Sequence, residues 1–285
     1  MSDTNGLHGE DVGNILYLEH VNVRVADQGK ATLFYVVGLG FTRDPYMMVG
    51  VNNMWVNLGE NQCHLPTGKP QVIPGHVGIV TPDLTALKDR LGSIREGLTG
   101  TKFDFSDEGD YVRAICPWGN EFHCYSPGGR FNGMSRGIPY VELSVPRGTA
   151  QRIGEFYRRG LGAPYSMEDG PNGIAAHVEA GTSQELIFRE SDTSLPAEYG
   201  GHHVQIYILN FSSPYEFMNE RGLVSEGIRN HQFRFVDIVD PDSGEKLYQL
   251  EHEVRGARHH LYRRPLVNRP AELLTAPTQV PMVVA

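Results

Sequence analysis

Four histidines stand at repeated places in this chain, and neutral imidazole is the commonest metal-binding side chain. His20 and His76 lie on two alternating runs, LEHVNVRV (18–25) and GHVGIV (75–80). His64 and His123 each close an Asn-x-x-His string, Asn61-Gln62-Cys63-His64 and Asn120-Glu121-Phe122-His123. A single histidine on a strand is ordinarily a hydrogen-bonded core residue. Four at matched positions point instead to one divalent-metal site in the N-terminal half. Four neutral ligands leave a dication at full charge, which favours Lewis-acid chemistry and a lowered pKa for a bound water or substrate hydroxyl. Residues two apart on a strand share a face. Asn22 therefore accompanies His20, Gln62 accompanies His64, and Glu121 accompanies His123. Glu121 is the candidate catalytic residue, a general base or an orienter of a ligand. Cys63 and Cys124 adjoin ligand candidates but point to the other face, and read as small packing residues.

The elements that position these residues repeat four times. The two runs above recur as IPYVELSV (138–145) and HHVQIYIL (202–209), which aligns His20 and His76 with Tyr140 and His203. A helix-like stretch follows each run, and the first and third share Phe-Tyr-x-x-Gly-Leu-Gly at Phe34–Gly40 and Phe156–Gly162. Asp27 reads as an N-cap and Gly38 as a C-cap of the first helix. Each unit ends in a Gly/Asn-rich hairpin. There the positions matching His64 and His123 fall on Leu186 in unit three and Gln249 in unit four. The units span about 15–66, 75–127, 137–190 and 200–254.

The expected fold is α+β, four tandem βαβββ modules forming two paired domains with curved, trough-like mixed sheets. Residues 1–14 are a polar N-terminal segment. Domain one is 15–130, from units one and two. Domain two is 137–254, from units three and four. Residues 255–285 form an extended, Arg- and Pro-rich tail packed across the modules. A second packing pairs unit one with four and two with three, which would gather His20, His64, His203 and Gln249. His203, Tyr140, Gln249 and Asn22 are thus the alternative-site or substrate-pocket residues.

The chain has 285 residues, net charge −9, 40% hydrophobic and 21% charged residues. That is ordinary globular usage, and the acidic balance disfavours nucleic acid as a partner. Three cysteines are no disulfide framework and suit a reducing compartment, so a cytoplasmic location is expected. The start lacks a signal-peptide core, and no run has the length of a membrane span.

Tandem units with a first-strand histidine and a last-strand His or Glu after a Pro-x-Gly-Asn type turn resemble the vicinal oxygen chelate superfamily. Matching stretches are Leu18–Val25, Phe34–Phe41, Gly75–Pro82, Pro117–Tyr125, Phe156–Gly162 and Asp240–Leu250. The superfamily includes glyoxalase I, type I extradiol dioxygenases and bleomycin-binding proteins. The resemblance implies one divalent metal, Fe(II) in the leading reading, with Ni, Mn, Co or Zn as alternatives. It implies a small-molecule substrate held through adjacent oxygens. The four-unit length is similar to the extradiol dioxygenases, which carry a 2-His-1-carboxylate iron site in the second half. Here Tyr140 replaces the first of those histidines and Gln249 stands at the carboxylate's place, with His203 alone matching. The expected activity is a dioxygenase of extradiol type. A glyoxalase-like lyase or isomerase, with Glu121 moving a proton, and a non-catalytic binding protein are the alternatives. Monomer and homodimer serve equally.

Overall fold

The computed structural model describes residues 12–47, 50–192 and 198–270. Most of the N-terminal segment and the end of the tail, 271–285, lie outside the described residues. Unit one contains strand β1 (Ile15–Asn22), helix α1 (Gln28–Ala31) running on as a π-helical turn (Thr32–Gly38), and strands β2 (Thr42–Arg43), β3 (Asn53–Leu58) and β4 (Asn61–Pro66). Unit two contains β5 (Gly75–Val80), α2 (Leu84–Ser93), β6 (Asp104–Asp107), β7 (Val112–Ile115) and β8 (Glu121–Tyr125). Unit three contains β9 (Tyr140–Val145), α3 (Ala150–Leu161), β10 (Tyr165–Gly170), β11 (Gly173–Glu179) and β12 (Glu185–Glu190). Unit four contains β13 (His203–Ile208), α4 (Ser212–Glu220), β14 (Val224–Arg229), β15 (Gln232–Val239) and β16 (Lys246–Gly256). The strand–helix–three-strand repeat is therefore present four times.

The units are joined in two different ways. Hydrogen bonding makes two eight-stranded mixed sheets, β14-β15-β16-β13-β1-β4-β3-β2 and β10-β11-β12-β9-β5-β8-β7-β6. Sheet one is thus units one and four, and sheet two is units two and three. This corrects the pairing of one with two and three with four. In each unit the first strand lies parallel to the last, as β1 with β4 and β13 with β16. The first strand's free edge then takes the first strand of another unit, antiparallel, from Ile15 opposite Ile208 to Asn22 opposite His203.

The apolar core joins the other pairs. Phe34 of unit one packs on Phe122 of unit two, ring centroids 5.7 Å apart. Phe156 of unit three packs on Phe217 and Phe235 of unit four. The shared Phe-Tyr-x-x-Gly-Leu-Gly string makes this contact. A Cβ on Gly38 would stand 2.6 Å from Ile94 Cδ1, and one on Gly160 would stand 2.8 Å from the Phe217 ring. Gly38 is therefore the point of closest approach between helices, not the helix cap. Two residues beyond its counterpart Gly160, Gly162 caps α3 in the left-handed region at φ 67°, where glycine carries no Cβ penalty. Asp27 does cap α1, accepting from the Lys30 N–H at 2.9 Å.

The described part of the tail runs along unit one. Arg264 pairs with buried Asp44 at 2.8 Å, and Arg269 donates to the Val36 and Phe41 carbonyls. Cys63, Cys116 and Cys124 are free and buried, with burial pushing the Cys63 and Cys124 thiols up to about 12. None of the described helices is long and apolar enough to cross a membrane.

Candidate metal centre

The strand order divides the four expected ligands between the two sheets. His20 and His64 stand on sheet one, His76 and His123 on sheet two. A single site built from all four is overturned.

In sheet one, β1 places His20 opposite Gln62 and Asn22 opposite His64 on β4. Across the junction, Asn22 faces His203 and His20 faces Gln205 on β13. Cross-strand partners point to the same side, so these side chains share one face of the sheet. His20, His64 and His203 bring one ring nitrogen each within 4.8 Å of one another. The histidines of units one and four converge because the two first strands are neighbours.

The position matching His64 in unit four is Glu253, not Gln249. In unit one, the residue two beyond the first-strand histidine (Asn22) opposes His64; in unit four, Gln205 opposes Glu253. Two register irregularities between β15 and β16, at Phe235/Asp237 and Ile238/Val239, displace the strand from a count taken off the turn. Gln249 instead bonds Asp237 at 2.8 Å. In unit three the matching residue is likewise Ile187, opposite Glu142, in place of Leu186. Glu253 is buried, with Oε2 3.8 Å from His203 Nε2.

The donor set fits a divalent cation. His20 is fully buried, and its Nδ1 lies 2.7 Å from the buried Glu19 carboxylate. Donation from Nδ1–H leaves the Nε2 lone pair for a ligand. The buried Nε2 atoms of His20 and His203 have no hydrogen-bond partner among the described residues. Burial pushes His203 well below the usual imidazole range and His64 down to about 2, which keeps both rings neutral as metal binding requires. Glu253 feels burial, which alone would raise it, against the charges of Arg255 and Arg234, which favour its ionised form. Arg234 and Arg255 both contact its carboxylate.

His64 differs from the other two. Its Nδ1 is 2.5 Å from the Asn22 amide nitrogen and its Nε2 is 2.6 Å from Asn53 Oδ1. Its ring stacks on Trp55 at 3.8 Å. It would ligate only by exchanging an asparagine for the ion.

The trough of sheet two holds a cavity of about 1010 Å³. His76 and His123 stack at 3.7 Å there, with Tyr111 over His123 at 4.3 Å. His76 Nε2 meets the Tyr140 hydroxyl at 3.2 Å. Glu121 bonds His123 at 2.7 Å and pairs with Arg113 at 2.8 Å. Glu121 stands in sheet two with His123, away from the convergent histidines of sheet one. That removes it as a base for the His20 site. Tyr140 also belongs to this second trough, and Asn22 to the first.

Sequence reasoning missed Glu253, Glu19 and Gln205. Glu251 and Glu253 form the alternating string Glu-His-Glu on the last strand, with Glu253 four residues beyond the expected Gln249.

No family model matches the chain, and no curated protein matches it. Its fold is that of the vicinal oxygen chelate proteins. Glyoxalase I from Zea mays superposes with a TM-score of 0.58 at 16% identity, over 87% of this chain and 97% of that one. A proposed dioxygenase from Bacillus subtilis gives 0.52 at 12% identity, over 90% and 92%. The cppA protein of Streptococcus pneumoniae gives 0.50 at 9%, over 86% and 100%. At these identities the likeness establishes the fold.

Proposed function

We propose that the trough of units one and four holds a divalent metal through His20, His203 and Glu253, and that the protein is a non-heme iron(II) dioxygenase of extradiol type. Its substrate is a small molecule with vicinal oxygens. The observation that carries this reading is the pair of buried, unpartnered Nε2 atoms of His20 and His203, beside a carboxylate kept ionised. Two histidines and one carboxylate are the donor set of non-heme iron(II) oxygenases. Iron(II) so held would keep positions open for the substrate's oxygens and for dioxygen. Glu19 fixes the His20 ring. His64, clamped by Asn22 and Asn53 and stacked on Trp55, lines the substrate's side of the trough and orients its hydroxyls.

His64 also supports a second reading. It belongs to the 4.8 Å group, and a fourth protein ligand would leave fewer positions open. That suits a glyoxalase-like lyase or isomerase, with nickel, manganese, cobalt or zinc in place of iron.

The test is metal content after anaerobic purification, with oxygen uptake on catechols. Iron is expected near stoichiometry in the wild type, lost in His203→Ala and kept in His64→Ala, with oxygen consumed. Zinc or nickel, lost in both variants and with no oxygen uptake, would select the second reading. A metal-free wild type that takes up no added metal would leave a binding protein.

A further inference from the structure

The two halves of sheet one repeat each other, and the repeat isolates one side chain. Asn22 follows His20 by two residues and opposes His64; Gln205 follows His203 by two and opposes Glu253. The Asn22 amide is occupied, bonded to His64. At the equivalent place, Glu253 is already held by Arg234 and Arg255. Gln205 is fully buried, and neither its Nε2 nor its Oε1 has a hydrogen-bond partner among the described residues. It faces His20 on one side and Glu253 on the other.

A buried primary amide unpaired at both ends is rare, since each desolvated group costs free energy until it finds a partner. This one lies between two of the proposed ligands, beside two imidazole nitrogens that are also unpaired. We infer that Gln205 binds the chelating substrate directly, donating its N–H to one of the two vicinal oxygens and accepting the O–H of the other. This rests on the metal reading above and narrows the substrate class. The ligand must offer a hydrogen-bond acceptor and a hydroxyl on neighbouring atoms, as in a singly ionised catechol, an α-hydroxycarbonyl or a neutral hydroxamic acid. A diketone, with no hydroxyl hydrogen, would leave the amide oxygen unpaired.

The experiment uses the full chain loaded with Co(II), whose visible bands report its ligands, titrated with acetohydroxamic acid. Wild type is compared with Gln205→Met, which keeps the shape and removes both polar atoms. Co(II) uptake is expected to be unchanged and acetohydroxamate binding about tenfold weaker. The thermal midpoint of the metal-free variant is expected to equal or exceed that of the wild type, because an unsatisfied amide has been replaced by an apolar isostere. Gln205→Glu is the second variant, should the first fail to fold, and is also expected to bind the probe more weakly. Unchanged probe affinity would overturn the inference. So would loss of Co(II) from the variants, which would make Gln205 a ligand, or a lowered midpoint with unchanged probe affinity, which would make it structural. A wild type that binds no Co(II), or whose bands are indifferent to His203→Ala, would instead strike the metal reading itself.

Discussion

Burial holds five of the described histidines neutral, and this carries over to stability. Desolvation lowers His64 to about 2, His252 to about 3, and His76, His202 and His259 to about 4, against an ordinary 6.5. The unfolded chain takes up these protons near pH 6.5, while the folded chain refuses them until far lower. Their contribution is therefore complete above pH 6.5 and is lost as pH falls toward the folded values. His252 is fully buried, its Nε2 in contact with Tyr157 at 2.5 Å. Such a group alone can remove about 1.4 kcal/mol per pH unit in that window. The urea midpoint of the metal-free chain should thus fall steadily between pH 7 and pH 5. A flat profile there would mean that these rings are not held neutral in the fold.

At the scale of elements, the glycines of the repeated string decide how closely helices approach. Gly160 of α3 meets Phe217 and Met218 at the start and end of a two-residue stretch of α4. Gly160→Leu should lower stability by about 1–3 kcal/mol through overpacking, read as a lower urea midpoint with the fold kept. An unchanged midpoint would show that α3 and α4 can separate without loss. Such contacts also show what the sequence could reveal. The four units were legible because strand alternation recurs about every sixty residues, and the glycine string marks the first and third. The partner of each unit was not, because every first strand offers the same kind of free edge, and backbone hydrogen bonds carry no side-chain identity. His20, His64 and His203 were legible as candidates. Glu253 was hidden by the bulged pairing of β15 with β16, since each extra residue shifts the count along the strand. Gln205 was hidden for another reason: only an inventory of bonded partners separates an unpaired amide from the satisfied amide of Asn22.

At the scale of the molecule, the sheets join unit one with four and two with three, while the helices pack unit one against two and three against four. Each half of the chain therefore contributes half of both sheets. The proposed metal site draws on both halves as well, His20 from one and His203 and Glu253 from the other. A cut in the link between β8 and β9 would leave fragments 1–130 and 131–285, each with its core-facing helices but with two bare first-strand edges. Unpaired edges of this kind promote association and aggregation. Neither fragment alone should show a cooperative unfolding transition or take up Co(II). Co-expressed, they should pair through β1 with β13 and β5 with β9, purify together and bind the ion with the cobalt bands of the intact chain. A fragment 1–130 that bound Co(II) by itself would show that the two N-terminal units can close a site without the fourth, and would restore the pairing that the strand order excludes.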